Sequence, residues 1–157
     1  DDPEFAAQCL TELALTAQAA GQLETAEQHA NAALHLYRTL EMHAAQSTDL
    51  ATLALVQLAR DERRQAYATA QQLLEIFDAS EPHQIEYPQR DLYVAALAAA
   101  ACGDTAGAAE LLQRAYTLVQ TRAANISDAV LRQSFLENVA INRVVVAAMG
   151  SAPLRVG

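Results

Sequence analysis

The sequence predicts an all-α protein built of stacked antiparallel helix hairpins. First, hydrophobic residues make up 52% of the 157 residues but aromatic residues only 5%. Much of this hydrophobic content is alanine, the best helix former, which lets helix axes approach closely. Second, the four prolines and five glycines are confined to a few positions, so long segments remain free to form uninterrupted helices. Third, one alanine pattern recurs three times at nearly equal intervals along the chain.

Apolar residues recur at steps of three and four residues, and this periodicity predicts eight helices in order. The predicted ranges are 4–20, 23–41, 43–60, 63–78, 88–102, 105–124, 128–137 and 139–149. Gly21 and Gly103 are expected to end their helices, because glycine adopts a positive φ at little cost. Ser127 is expected to cap the seventh helix, with Asp128 in its first turn.

The segment 78–88 is the one long connection that the sequence predicts to be irregular. It reads DASEPHQIEYP, and Pro82 and Pro88 bracket its polar part. Proline cannot continue a helix from within, so the fourth helix is expected to end before this segment and the fifth to begin at its close.

Three helix hairpins share the alanine pattern. Their turns read GQLETA, DERRQA and GDTAGA, and each ends in an alanine. These three alanines are Ala26, Ala66 and Ala108, and their spacing is typical of a solenoid repeat. Twelve positions before them lie Ala14, Ala54 and Ala96. Where two helices cross closely, a Cβ is the largest group that fits, so each pair is expected to mark one crossing.

At these positions the chain resembles the tetratricopeptide-repeat (TPR) family, over about residues 7–120. The likeness lies in the small residue midway along each first helix, the Gly or Asp turn, and the alanine on each second helix. The repeats are longer than is usual for the family, lack a closing proline, and place Leu73 where an alanine is expected. The resemblance implies a TPR-like α-solenoid, a right-handed superhelix of about three antiparallel helix hairpins, at 4–41, 43–78 and 88–124.

The long helices also resemble the repeat arrays of large bacterial signal-transduction ATPases and transcriptional regulators. Residues 126–149 resemble the terminal segment of such arrays, which implies C-terminal capping helices followed by a flexible tail at 150–157. The likeness implies that the chain is the C-terminal part of a larger bacterial regulatory protein.

Charge and composition exclude several function classes. The net charge of −9 repels phosphate backbones and anionic membranes, so no direct nucleic-acid or membrane binding is expected. No long apolar run predicts a membrane span, and a cytoplasmic protein is expected. Cys9 and Cys102 are interpreted as buried, reduced thiols.

The resemblance places the first helix of each hairpin on a concave face. Leu15, Leu55 and Leu97 follow the repeat alanines of these helices by one residue and are expected to form an apolar ladder across a groove. The other expected groove residues are Gln8, Thr11, Gln18, Thr48, Leu58, Arg90 and Tyr93. Such a groove would accept an amphipathic helix or an extended peptide.

In the alternative interpretation, the ladder leucines pack between helices or the C-terminal helix fills the groove. In that case a cap is expected from Phe135, Leu136, Val139 and Val144–Val146.

Signatures of catalysis and of metal binding are missing from the sequence. It contains no P-loop, no GxGxxG and no nucleophile elbow. His29, His35 and His43 are spaced by six and eight residues, which does not match the one-turn spacing of helical metal ligands. No catalytic residue, cofactor or metal is therefore expected.

The sequence favours a protein–protein interaction module, acting as the sensor or assembly arm of a bacterial regulator. Its expected partner is a protein or peptide. Two alternatives stay open: a homodimerisation domain whose apolar ladder is the self-interface, and a small-molecule effector-sensing domain that uses the groove.

Overall fold

The chain folds into helices joined by short turns. The computed structural model describes residues 2–81 and 83–151, and in this part of the chain eight helices and no strands occur. In chain order they are α1 Pro3–Ala19, α2 Leu23–Thr39, α3 Gln46–Ala59, α4 Arg63–Ala79, α5 Pro88–Ala101, α6 Thr105–Ala124, α7 Ala129–Glu137 and α8 Ala140–Met149. Every helix begins and ends within three residues of its predicted range, so the all-α prediction is confirmed.

The first six helices form three hairpins: α1 with α2, α3 with α4, and α5 with α6. The first helices of the hairpins also pack on one another, α1 against α3 and α3 against α5. Between hairpins, α2 packs on α3 and α4 packs on α5, whereas the described parts of α2 and α4 do not meet. The first helices therefore form a shared layer, and the second helices lie against it.

The six alanines of the repeat pattern are all buried. Ala14, Ala54, Ala96, Ala26 and Ala66 are 0% exposed and Ala108 is 4% exposed. All but Ala26 belong to the main core, the large buried cluster built around Leu34, Leu50, Leu73, Val94 and Val119. These positions have no room for a longer side chain, as expected of close helix crossings.

The turns within the hairpins share one backbone device. Gly21 and Gly103 follow their helices with φ of +73° and +91°, as predicted, and Asp61 takes the same place in the second hairpin with φ of +61°. The next amide, that of Gln22, Glu62 or Asp104, donates to a carbonyl five residues back at 2.9 Å. This bond pattern closes a helix end that needs a left-handed residue.

The cap of α7 differs from the prediction by one residue. Asp128, and not Ser127, is the N-cap, and its carboxylate accepts hydrogen bonds from the amides of Val130 and Leu131, each at 2.9 Å. A carboxylate satisfies free amides at a helix start and also suits the helix dipole, which favours Asp128 over the Ser127 hydroxyl.

The C-terminal helices pack on the last hairpin. α8 packs on α5, α6 and α7, and its Val145 is fully buried. Phe135, Leu136 and Val146 pack against the main core as the cap interpretation expects, but Val139 and Val144 are each 39% exposed, so their assignment to the cap is wrong. Val144 lies on α8 away from the buried Val145, and Val139 is the residue just before α8.

A buried amide holds this cap in register. Asn142 is 0% exposed, and its Nδ2 donates to the Phe135 carbonyl at 3.0 Å. Its Oδ1 accepts from Gln89 Nε2 at 3.4 Å, while Gln89 Oε1 accepts from Arg122 at 2.8 Å. The chain of bonds joins α5, α6 and α8.

Three further expectations concern the burial of the two cysteines, membrane-spanning helices, and the two segments predicted to be irregular. Cys9 and Cys102 are free but exposed, so the expectation of buried thiols is wrong. None of the described helices is long and apolar enough to cross a membrane. Pro82, one of the two prolines that bracket the polar connection, lies outside the described residues, as does most of the expected tail, 152–157.

Candidate functional site

The leucines of the expected ladder lie at the edge of the helix packing. Leu15, Leu55 and Leu97 are half-buried, and the last two pack against the main core. Leu58 is only 8% exposed and belongs to the main core, so its expected place in an open groove is corrected. Gln18, near the end of α1, is half-buried.

An open cleft of about 780 Å³ lies beside α1. We call it the α1 cleft; its lining residues are Phe5, Gln8, Cys9, Thr11, Glu12, Leu13, Thr16, Tyr37, Met42, Ala44, Ala45, Thr48, Gln84 and Glu86. They come from α1, the end of α2, the connection to α3, the start of α3, and the loop before α5. The volume lies within the range of ligand pockets. Three residues of the expected groove line this cleft: Gln8, Thr11 and Thr48.

Large apolar side chains form the open part of the cleft. Phe5 is 64% exposed and Leu13 is 50% exposed, and the half-buried Met42 faces the same space. Exposed large apolar residues that converge on a concavity are a typical feature of interaction sites. The sequence reasoning missed all three, because it took the position after each repeat alanine as the groove position.

Two residues of the loop before α5, Gln84 and Glu86, line one side of the cleft. Nearby, Ile85 is 3% exposed, and the Ser80 hydroxyl donates to the Ile76 carbonyl at 2.7 Å. Glu81 and Gln84 bond each other twice at 2.9 Å, once through the Gln84 side chain. The described loop residues are therefore packed and hydrogen-bonded beside the cleft.

A tyrosine links this loop to α1 across the cleft. The Tyr87 hydroxyl donates to Glu12 Oε1 at 3.4 Å. Burial raises the pKa of Tyr87 to about 12, and the charges of Glu86 and Glu12 add to the effect. Both carboxylates therefore lie close to this one phenol.

Beneath the cleft, Thr11 leads to a buried carboxylate. The Thr11 hydroxyl donates to Asp49 Oδ2 at 2.8 Å, and the Tyr37 hydroxyl lies 3.4 Å from the same Thr11 oxygen. Asp49 is 0% exposed, and within the described structure its Oδ1 has no hydrogen-bond partner. Burial raises the pKa of Asp49 to about 7; Thr11 and Arg90 act to lower it, while Asp91 and Glu12 act to raise it.

Arg90 stands between Asp49 and a second buried carboxylate. Its two terminal nitrogens donate to the Thr48 carbonyl at 3.3 Å and to the Thr52 hydroxyl at 3.0 Å. One of them lies 3.6 Å from Asp91 Oδ1, and Asp91 is 0% exposed. Burial raises the pKa of Asp91 to about 6, although the charge of Arg90 opposes the rise.

The buried carboxylates occupy one register position in the repeat. Asp49 and Asp91 lie five residues before Ala54 and Ala96, and Cys9 lies five before Ala14. Aligning the repeats would have revealed this position, since an acid recurring on a helix face that packs inward is unusual. Arg90 and Thr48, both expected groove residues, share the register position just before it.

The remaining expected residues lie away from the cleft or show no further chemistry. Tyr93 is half-buried against the main core, and burial raises its pKa. His35 and His43 are exposed and His29 is half-buried. No group of three or more His, Cys, Asp or Glu side chains in the described part of the chain is arranged to hold a metal ion.

Comparison of the chain with protein-family models, with curated proteins and with solved structures gives no match. The resemblance of the repeat residues to the TPR family therefore stays a prediction.

Proposed function

We propose that this chain is a protein–protein interaction module that binds a segment of a partner protein in the α1 cleft. The observation that carries the proposal is the convergence of Phe5, Leu13 and Met42 on one ordered concavity of about 780 Å³. Exposed apolar side chains are costly to leave in water, and a bound segment would cover them. The groups beside it, from Gln8, Thr16 and Gln84, offer hydrogen bonds to a peptide backbone.

The helix packing supports a TPR-like array as the scaffold. A shared layer of α1, α3 and α5, with α2 and α4 each bridging to the next first helix, is the arrangement that a right-handed superhelix of hairpins requires. In such an array the first helices face the concave side, and α1 supplies half of the lining of the cleft.

The wider role that we propose is the sensor or assembly arm of a bacterial regulatory protein in the cytoplasm. It is supported by the resemblance of the repeat residues to the arrays of such regulators. The net charge of −9 favours a protein partner over nucleic acid.

A peptide selection tests the proposed function. Random dodecapeptides displayed on phage are selected on the whole chain and then sorted on a Leu13→Glu variant, which places a charge in the open part of the cleft. Peptides that bind the wild type but lose most of their affinity for Leu13→Glu support the proposal. The matched control is Leu131→Glu on α7, where a similarly exposed leucine lies outside the cleft.

Peptides that bind both variants alike would contradict the proposed function, and so would a selection that yields none. A thermal-shift screen against metabolites separates the effector-sensing alternative, because a single stabilising class of small molecules would favour it over a peptide partner.

A homodimerisation domain is a second candidate, but with a different interface from the leucine ladder. Val130 and Leu131 on α7 are 76% and 63% exposed, and Val139 and Val144 lie nearby in sequence at 39%. A second copy would cover this apolar face. Light scattering over a range of concentrations tests it, with Leu131→Glu expected to abolish any dimer.

A further inference from the structure

The α1 cleft carries negative charge without a cation of its own. Glu12 and Glu86 line it, and none of its described lining residues is Lys, Arg or His. Arg90 lies behind Thr48 and is held by Thr48, Thr52 and Asp91. Its side chain is 16% exposed, and its guanidinium lies 3.6 Å from the buried carboxylate of Asp91.

The two carboxylates of the lining converge at one end of the cleft. Glu12 Oε1 accepts the Tyr87 hydroxyl at 3.4 Å, and the charge of Glu86 acts on the same phenol. Each carboxylate has about four acceptor positions, and the single phenol proton can occupy only one of them.

The apolar part of the cleft lies on the same helix as one of these carboxylates. Phe5, Leu13 and Glu12 all belong to α1, and Leu13 follows Glu12 directly. Lysine and arginine have a methylene stem that packs on apolar surface and a charged head that reaches a carboxylate. An acidic or purely apolar segment would leave Glu12 and Glu86 without a counter-charge.

We propose that the partner segment inserts a lysine or arginine side chain between Glu12 and Glu86, with its neighbouring apolar side chains against Phe5 and Leu13. This inference rests on the proposed function and names the chemistry of the partner: a basic segment in which the cation is flanked by large apolar residues. The two carboxylates would supply the counter-charge that offsets part of the desolvation of the cation.

The test uses the same displayed dodecapeptides on the whole chain, with two charge-matched double variants. Glu12→Gln with Glu86→Gln removes the two charges at the cleft and keeps the shape of the side chains. Glu75→Gln with Glu110→Gln makes the same change of net charge at exposed positions on α4 and α6, outside the cleft lining. Peptides selected on the wild type are expected to contain a Lys or Arg between large apolar residues.

Affinities of the best peptide, measured by fluorescence anisotropy at low salt, complete the test. The Glu12→Gln, Glu86→Gln variant is expected to weaken binding by about tenfold or more, and the control variant by less than about twofold. Replacing the basic residue of the peptide by norleucine should cost the wild type the same factor. It should cost the cleft variant nothing further, because the two changes remove one interaction.

Peptides that depend on Leu13 but lack an enriched cation, or that bind the Gln variant as tightly as the wild type, would overturn this inference while leaving the proposed function standing. An equal loss in the control variant would overturn it too, since the effect would then be one of net charge. Peptides that ignore Leu13 would overturn both proposals.

Discussion

The C-terminal helix α8 and the N-terminal helix α1 differ in how far their large apolar side chains are buried. At the C-terminal end, α8 covers α5 and α6 and buries Val145 completely. On α1, by contrast, Phe5 and Leu13 stay exposed beside the α1 cleft. The described chain therefore covers the last hairpin with its own helix α8 and leaves apolar surface exposed on α1. We interpret α8 as a contributor to stability and the exposed surface of α1 as the place for a partner.

The largest expected effect is the loss of the cap. Val145→Asp places an unpaired carboxylate in the main core at the contact of α8 with α5 and α6. It should lower the free energy of unfolding by about 3–5 kcal/mol. Urea unfolding followed by circular dichroism measures this effect.

The neighbouring valine provides the control for that experiment. Val144 is 39% exposed, so Val144→Asp should cost no more than about 1 kcal/mol. If the two variants lost equal free energy of unfolding, α8 would not pack on the core through one face. The difference in burial between α8 and α1 would then no longer hold.

The second effect concerns the buried carboxylate of Asp49 beneath the α1 cleft. Burial raises the pKa of Asp49 to about 7 from an ordinary value of 3.8, so the folded protein binds this proton more tightly than the unfolded chain does. Its contribution to stability is therefore full below about pH 4 and is lost as the pH rises to about 7. Asp49→Asn removes this dependence and can still accept the Thr11 hydroxyl.

We expect Asp49→Asn to match the wild type near pH 4 and to exceed its unfolding free energy by up to about 4 kcal/mol near pH 8. Urea titrations at a series of pH values measure the difference. If attraction to Arg90 outweighed burial, the Asn variant would instead be the less stable protein at pH 8. Glu110→Gln, at an exposed position on α6, controls for the loss of one charge.

A third prediction concerns the middle hairpin, which belongs to neither end. Ala66→Leu adds three carbon atoms at a crossing where Ala66 is 0% exposed. Overpacking should cost about 1–3 kcal/mol. Ala68→Leu on the exposed side of the same helix is the control and should change the free energy of unfolding by less than about 0.5 kcal/mol. An unchanged midpoint for Ala66→Leu in thermal melting would contradict the proposed crossing.

The sequence predicted the helices well because their signals are local. Apolar periodicity, proline positions and the left-handed glycines at Gly21 and Gly103 each act over a few residues, and the structure has them where expected. The buried alanines were also predictable, since three copies of one pattern reinforce each other.

The α1 cleft was not predictable in the same way. It depends on residues 83–87 lying against α1, where the Tyr87 hydroxyl contacts Glu12, and a contact between residues so far apart in sequence leaves no periodic signal. Ile85, the one large aliphatic residue in the polar segment, was the available clue to a docked loop. The leucine ladder was placed by register alone, which does not fix how far each first helix turns toward its neighbour.

The smallest expected effect tests whether the exposed apolar surface of α1 contributes to the stability of the fold. Leu13 is 50% exposed and belongs to no buried cluster, so Leu13→Asp should change the free energy of unfolding by less than about 0.5 kcal/mol while it prevents peptide binding in the cleft. Urea unfolding of this variant beside Val145→Asp compares the two ends directly. A loss as large as that expected for Val145→Asp would mean that the N-terminal apolar surface supports the fold. The cleft would then be part of the packing of α1, and binding losses in Leu13 variants would report on unfolding instead of on contact with a partner.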